Sequence, residues 1–143
     1  MSMLELLRED CGVTSVKDGC APEGSCGACT VLLNGRACVS CAQPAARVAG
    51  RAVVTQEGLS PQARDLWTRC FVASGASQCG FCSPGIVMKA EVLLARTPSP
   101  APEGIARARE ANGGPSCELK EFRSTDDVCN RVPVCRPEGQ DLY

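Results

Sequence analysis

The sequence contains no histidine. That removes Rieske centres, zinc sites with imidazole ligands, and every catalytic dyad built on a histidine base. Aromatic residues are scarce as well, with one Trp, one Tyr and three Phe in 143 residues. Large core anchors are therefore few, and small modules here need another staple, of which bound metal is one kind. Charge of one sign is nowhere concentrated: 15 Lys and Arg stand against 16 Asp and Glu, for a net charge of −1. With no basic stripe and no aromatic platform, a nucleic-acid partner is not expected. No apolar stretch is long enough to span a membrane, so no membrane insertion is expected. The first ten residues, Met1-Ser2-Met3-Leu4-Glu5-Leu6-Leu7-Arg8-Glu9-Asp10, lack a basic start, and Glu5 breaks their apolar run, so they do not read as a secretory signal.

Cysteine, by contrast, is abundant, at 12 residues. Disulfide frameworks go with secretion, whereas reduced thiols in a cytoplasmic protein, the localisation expected here, point to metal or redox work. Three thiols lie on one loop, Cys20-Ala21-Pro22-Glu23-Gly24-Ser25-Cys26-Gly27-Ala28-Cys29, and Cys41 follows. Plant-type [2Fe–2S] proteins use C-x4-C-x2-C with a distant fourth cysteine, and this loop is that pattern with one residue added. A loop that turns three thiolates inward must curl tightly. Gly24 and Gly27 supply the positive φ angles that such a curl needs.

The segment after the loop bears on which cysteine is the fourth. Thr30–Leu33 and Arg36–Val39 read as strands joined by Asn34-Gly35, a strong signal for a two-residue hairpin. That turn sets Leu33 opposite Arg36, Val31 opposite Cys38 and Ala28 opposite Cys41. Cys41 then sits at the open mouth of the hairpin beside Cys29, while Cys38 lies inside the ladder as a packing residue. A structural zinc site on Cys26, Cys29, Cys38 and Cys41, in a thiol-rich interaction protein, is the alternative. It leaves Cys20 unused and needs Cys38 where the hairpin does not put it.

Elsewhere the pattern is helical. Residues 3–10 read as a short helix with Leu4, Leu7 and Cys11 on its inner face and Gly12 as its stop. Ala52–Thr55 reads as a third strand and residues 56–59 as a linker. Ser60 and Pro61 open a second helix with an apolar stripe at Ala63, Leu66, Trp67, Cys70 and Phe71, ending at Gly75. Ser83 and Pro84 cap a third helix, with Ile86, Ala90, Leu93 and Leu94 inward and an end before Pro98. A weaker helix is expected from about Pro102 to Asn112. Cys79 and Cys82 flank Gly80-Phe81 at a helix start, where the helix dipole favours thiolates. The same C-x-x-C could be a thioredoxin-like redox pair, but the segment before it is helical where a thioredoxin needs a strand.

Asp18-Gly19-Cys20, Gly24-Ser25-Cys26-Gly27-Ala28-Cys29-Thr30-Val31, Asn34-Gly35, Ser40-Cys41, Thr55-Gln56-Glu57-Gly58-Leu59 and Gln78-Cys79-Gly80-Phe81-Cys82-Ser83-Pro84-Gly85 occur in this order. Together they resemble the [2Fe–2S] subunit, or N-terminal module, of the molybdenum hydroxylases, the family of xanthine dehydrogenase, aldehyde oxidoreductase and carbon monoxide dehydrogenase. The resemblance implies an α+β chain. A ferredoxin-like β-grasp module without its N-terminal hairpin would occupy residues 1–57, and a small all-α helical-bundle module residues 58–112. Residues 113–143 form a divergent tail rich in Gly, Pro and charge. It implies one [2Fe–2S] cluster on Cys20, Cys26, Cys29 and Cys41, and a second whose first pair is Cys79 and Cys82. The positions where the family places the second pair, 114 and 116, hold Gly and Ser here. Cys117 is left as the candidate third ligand, and Cys129 and Cys135 as unassigned. Gln78 matches the position that approaches the molybdopterin. The implied function is electron transfer inside a multi-subunit oxidoreductase, with molybdenum–molybdopterin and FAD on partner subunits or domains and no catalytic site on this chain. A non-functional truncated fragment is the remaining alternative.

Overall fold

A computed structural model describes residues 1–99 of the chain. The expected helix at 102–112, the tail and Cys117 lie outside the described residues. Helix α1 (Met3–Glu5) starts from a reciprocal cap, in which Ser2 Oγ accepts the Glu5 N–H while the Ser2 N–H donates to the Glu5 carboxylate. It runs on into a π-helical turn, Leu6–Asp10, closed by the Cys11 N–H on the Leu6 carbonyl at 3.1 Å. The extra residue in that turn rotates position 11 away from the face that Leu4 and Leu7 bury. Cys11 is therefore exposed, not in the core as its spacing suggests.

Strands β1 (Thr30–Leu33), β2 (Arg36–Val39) and β3 (Val53–Val54) form an antiparallel sheet in the order β2-β1-β3. Asn34 and Gly35 both take positive φ, 50° and 75°, so the turn matches the twist of its strands. The register follows the expectation, with Leu33 opposite Arg36 and Val31 opposite Cys38. Asn34 also holds the far edge: its N–H donates to the Ala52 carbonyl at 2.8 Å and its Oδ1 accepts the Ala52 N–H at 3.0 Å. The ladder stops at Thr30–Val39, and Ser40–Ala42 turn into a 3-10 helix. Cys41 consequently meets Cys29 rather than facing Ala28 in the ladder.

The core beneath the sheet combines Met3, Leu4, Leu7, Val16 and Val31 with the side chains of Cys29 and Cys41. Residues 56–58 are a 3-10 turn rather than a bare linker. The Glu57 carboxylate accepts from the Ser15 N–H at 3.0 Å, the Ser15 hydroxyl and the Thr55 hydroxyl, tying this turn to the segment after α1.

Helix α2 (Pro61–Ser74) begins at Ser60, whose hydroxyl accepts the Ala63 N–H, and ends on Gly75 at φ 61°. Trp67 and Cys70 of its expected stripe are buried. Helix α3 (Ser83–Arg96) takes Cys82 as its N-cap, with Ser83 and Pro84 inside the first turn rather than before it. Its most buried residues are Gly85, Val87 and Met88, and the expected stripe of Ile86, Ala90, Leu93 and Leu94 is only half-buried. Gly85 and Met88, three residues apart, share the side turned to the cysteine loop, whereas Val87 lies across the helix beside the expected stripe. The indole N–H of Trp67 donates to the Glu91 carboxylate, joining α2 to α3. Among the described residues no helix is long and apolar enough to cross a membrane.

Candidate metal centre

The loop that carries Cys20, Cys26 and Cys29 is held by its own backbone. Gly24 and Gly27 both have φ of 72°, as the curl requires. Ala21, which is not a glycine, also takes a positive φ of 42°, and its N–H is held by Asp18 Oδ1 at 3.0 Å. The Thr30 hydroxyl donates to the Gly27 carbonyl at 2.6 Å. At the other end, the N–H and hydroxyl of Ser40 both donate to the Cys29 carbonyl, at 3.1 and 2.9 Å. These bonds seat Cys29 and Cys41 side by side.

Cys20, Cys26, Cys29 and Cys41 converge as two pairs. The Cys20 and Cys26 thiols are hydrogen-bonded to each other, and so are those of Cys29 and Cys41. Cys26 also lies in the field of Cys29, and Cys41 in the field of Cys20, which closes a ring of four. Backbone donors surround it. The Ala28 N–H points at Cys26 Sγ and the Cys41 N–H at Cys29 Sγ, each at 3.5 Å, and the Gly24 backbone reaches Cys41.

The two pairs differ electrostatically. Burial raises the Cys20 thiol, but the backbones and side chains of Cys26 and Ser25 outweigh it and bring it down to about 6. Burial, the hydrogen bond with Cys29 and repulsion from its thiol push Cys41 up to about 12. Burial likewise raises Cys26. Such an array holds one ready thiolate beside thiols that ionise when a metal takes their protons. The donor set, all sulfur and with backbone N–H groups aimed at it, fits an iron–sulfur core. Among the described residues no three His, Cys, Asp or Glu side chains stand at the spacing a single ion takes. Cys38 stays in the ladder opposite Val31, half-buried, its thiol raised by burial and by the nearby Cys29.

The helical half closes over one side of the ring. A Cβ on Gly85 would lie 2.4 Å from the Gly27 carbonyl oxygen, so α3 rests directly on the cysteine loop. Gly19 sits in a slot where a Cβ would meet Cys26 Sγ at 2.9 Å and the Phe81 ring at 3.2 Å. Phe81 belongs to the α2–α3 loop that carries Gln78, Cys79 and Cys82. Gln78 and Cys79 are exposed there, and Cys82 is half-buried at the helix start. The loop is pinned by the Ser77 and Ser83 hydroxyls, 3.2 Å apart. The structure thus brings together the first four cysteines and places the Cys79–Cys82 loop against them through Phe81. The close approach of Gly19 and Gly85 to this loop, and the half-burial of Lys89 on α3, are not visible in local periodicity. The one signal for Lys89 is a charge inside the apolar run Val87-Met88-Lys89-Ala90.

Residues 55–117 match the [2Fe-2S] binding domain family. The chain is 43% identical over 111 residues to the nicotinate dehydrogenase small FeS subunit of Eubacterium barkeri, covering 77% of this chain and 70% of that protein. It is 42% identical over 132 residues to the xanthine dehydrogenase iron-sulfur-binding subunit of Escherichia coli O157:H7, covering 92% of this chain and 79% of that one. This second match is long enough to run past residue 112, into the stretch read as divergent. Among solved structures, quinoline 2-oxidoreductase from Pseudomonas putida aligns with a TM-score of 0.73 and 32% identity, over 92% of this chain and 81% of that chain. Aldehyde oxidoreductase from Desulfovibrio desulfuricans aligns with a TM-score of 0.78 and 31% identity, over 92% of this chain and 15% of the larger one.

Proposed function

The chain belongs to the family of [2Fe–2S] iron–sulfur subunits of the molybdenum hydroxylases, and on that premise we propose that it is the electron wire of such an oxidoreductase. The observation that carries the proposal is the closed ring of four thiols. A [2Fe–2S] core has two irons and takes four thiolates, so two facing pairs suit it better than one tetrahedron does. Cys20 and Cys26 hold one iron in this reading, and Cys29 and Cys41 the other. The bound core supplies reversible one-electron chemistry. The chain's residues do the rest: Ala28, Cys41 and Gly24 present N–H groups to the sulfurs, and Met3, Leu7 and Val31 keep the inner side dry. Hydrogen bonds to sulfur and exclusion of solvent are two of the levers that set such a potential. Cys38 packs in the hairpin opposite Val31, which disfavours the zinc reading on Cys26, Cys29, Cys38 and Cys41.

The same reading assigns residues 1–57 to a ferredoxin-like module and residues 58–112 to a helical one. Cys79 and Cys82 begin a second [2Fe–2S] site, with Cys117 as its third ligand. Gln78, exposed beside Cys79, contacts the molybdopterin of a large partner subunit. Electrons enter from that molybdenum centre and leave toward FAD on another subunit or domain, in the cytoplasm.

Iron and acid-labile sulfide per chain, with visible and low-temperature EPR spectra of protein purified without oxygen, test the reading. About two irons and one reduced signal establish the first centre alone, and about four irons with two signals establish both. No iron, or stoichiometric zinc, refutes the electron-transfer role.

A further inference from the structure

Helix α3 approaches the thiol ring with a charge. Gly85 rests on Gly27 and Ala28, and Lys89, four residues on, returns to the same face one turn later. Lys89 is half-buried. Cys26 and Cys29 of the ring lie close enough for their charge to favour its ammonium. Among the described residues no carboxylate takes it: the ion pair there joins Arg69 to Asp65, and the neighbouring Glu91 accepts the indole N–H of Trp67. Burial draws the ammonium below the usual lysine range, and the two thiols act in the opposite sense. A half-buried cation without a carboxylate is costly unless negative charge forms beside it. Among the described residues, the negative charge offered at this place is that of the thiolates and the core they would hold.

We propose that Lys89 tunes the reduction potential of the centre on Cys20, Cys26, Cys29 and Cys41, its positive charge favouring the reduced form. The proposal rests on the electron-transfer reading above. Its sign follows from charge. A [2Fe–2S] core with four thiolates is anionic in both states and gains one more negative unit on reduction, so a fixed cation lowers the energy of the reduced state more. A unit charge within about 10 Å, at the effective dielectric of a protein site, shifts such an equilibrium by about tenfold. For one electron that is about 59 mV.

The test is a potentiometric titration of the full chain, iron-loaded and oxygen-free, followed by visible absorption and EPR. It compares wild type with Lys89→Met, Lys89→Gln, Lys89→Arg and Lys89→Glu, and iron is counted in each. The two neutral variants are expected to fall by about tenfold in the reduced-to-oxidised ratio at a given potential. Arg is expected to restore the wild-type value and Glu to fall about twice as far as the neutral variants. A packing role would not order the variants by charge. Neutral variants that keep their iron and the wild-type potential overturn the inference, as does loss of iron from both neutral variants, which makes Lys89 a packing residue. A wild-type chain that binds no iron fails the underlying reading instead, and the two failures are told apart by the iron count.

Discussion

Substituting Gly85 by alanine sets two physical effects against each other. Inside a helix, alanine is better than glycine by up to about 1 kcal/mol, so on propensity alone the variant is more stable. The new Cβ, however, would stand 2.4 Å from the Gly27 oxygen, 3.3 Å from the Gly27 carbonyl carbon and 3.2 Å from Ala28 Cα. All three are backbone atoms and cannot rotate away. The Gly27 carbonyl is also pinned by the Thr30 N–H at 3.2 Å and its hydroxyl at 2.6 Å. Either α3 lifts or the cysteine loop is displaced, and overpacking of this kind costs about 1–3 kcal/mol. The clash outweighs the propensity gain, leaving a net loss of about 1–2 kcal/mol. For a domain of this size that lowers the thermal midpoint by roughly 3–8 °C. Far-ultraviolet circular dichroism of the iron-loaded chain, heated at one fixed rate, reads the midpoint, and visible absorption during the same scan reads loss of the centre. Both are expected to move down together. A midpoint raised by the helix-propensity gain would refute the close contact between α3 and the loop.

Three further outcomes are expected. Cys20→Ser abolishes iron binding at the first centre, whereas Cys38→Ser leaves iron content and visible spectrum unchanged; the reverse pattern would favour the zinc arrangement. Glu91→Ala leaves the Trp67 indole N–H without its acceptor, and thermal unfolding should show a loss of about 1 kcal/mol. Glu57→Gln weakens the tie to Ser15 and Thr55 by about 1 kcal/mol at neutral pH, a modest figure because the carboxylate is exposed. Burial opposes ionisation of Glu57, but the hydrogen bonds from Ser15, its own backbone and Thr55 prevail and its folded pKa is lowered. Its contribution is therefore complete above the unfolded glutamate value of about 4.3 and is lost as pH falls through the lower folded value. The gap between variant and wild type should close only in acid, as read by unfolding midpoints across pH.

What local pattern could disclose, it disclosed well. Asn34-Gly35 dictates the hairpin because its turn geometry admits one register, and Cys41 beside Cys29 follows from it. Gly75 stops α2 because a left-handed C-cap favours glycine. The misreadings are of another kind. Cys11 fits an α-helical face, yet one extra residue in a π-turn swings it outward, and no periodicity announces such a turn. In α3 the expected stripe is only half-buried, and Gly85 is buried instead by contact with a loop nearly sixty residues earlier in the chain. Gly19 and Gly85 read locally as ordinary glycines, since what excludes a side chain from them is a distant sulfur and a distant carbonyl. Long-range approach is the part that composition and spacing do not carry.

The Phe81 ring reaches from the Cys79–Cys82 loop to the slot at Gly19, beside Cys26 Sγ. Phe81 stays 45% exposed, so its ring contacts the slot with one edge and solvent with the rest. A side chain at Gly19 would press on Phe81 and on Cys26 Sγ at once, so the seating of the α2–α3 loop and the spacing of the cysteine ring cannot be altered separately.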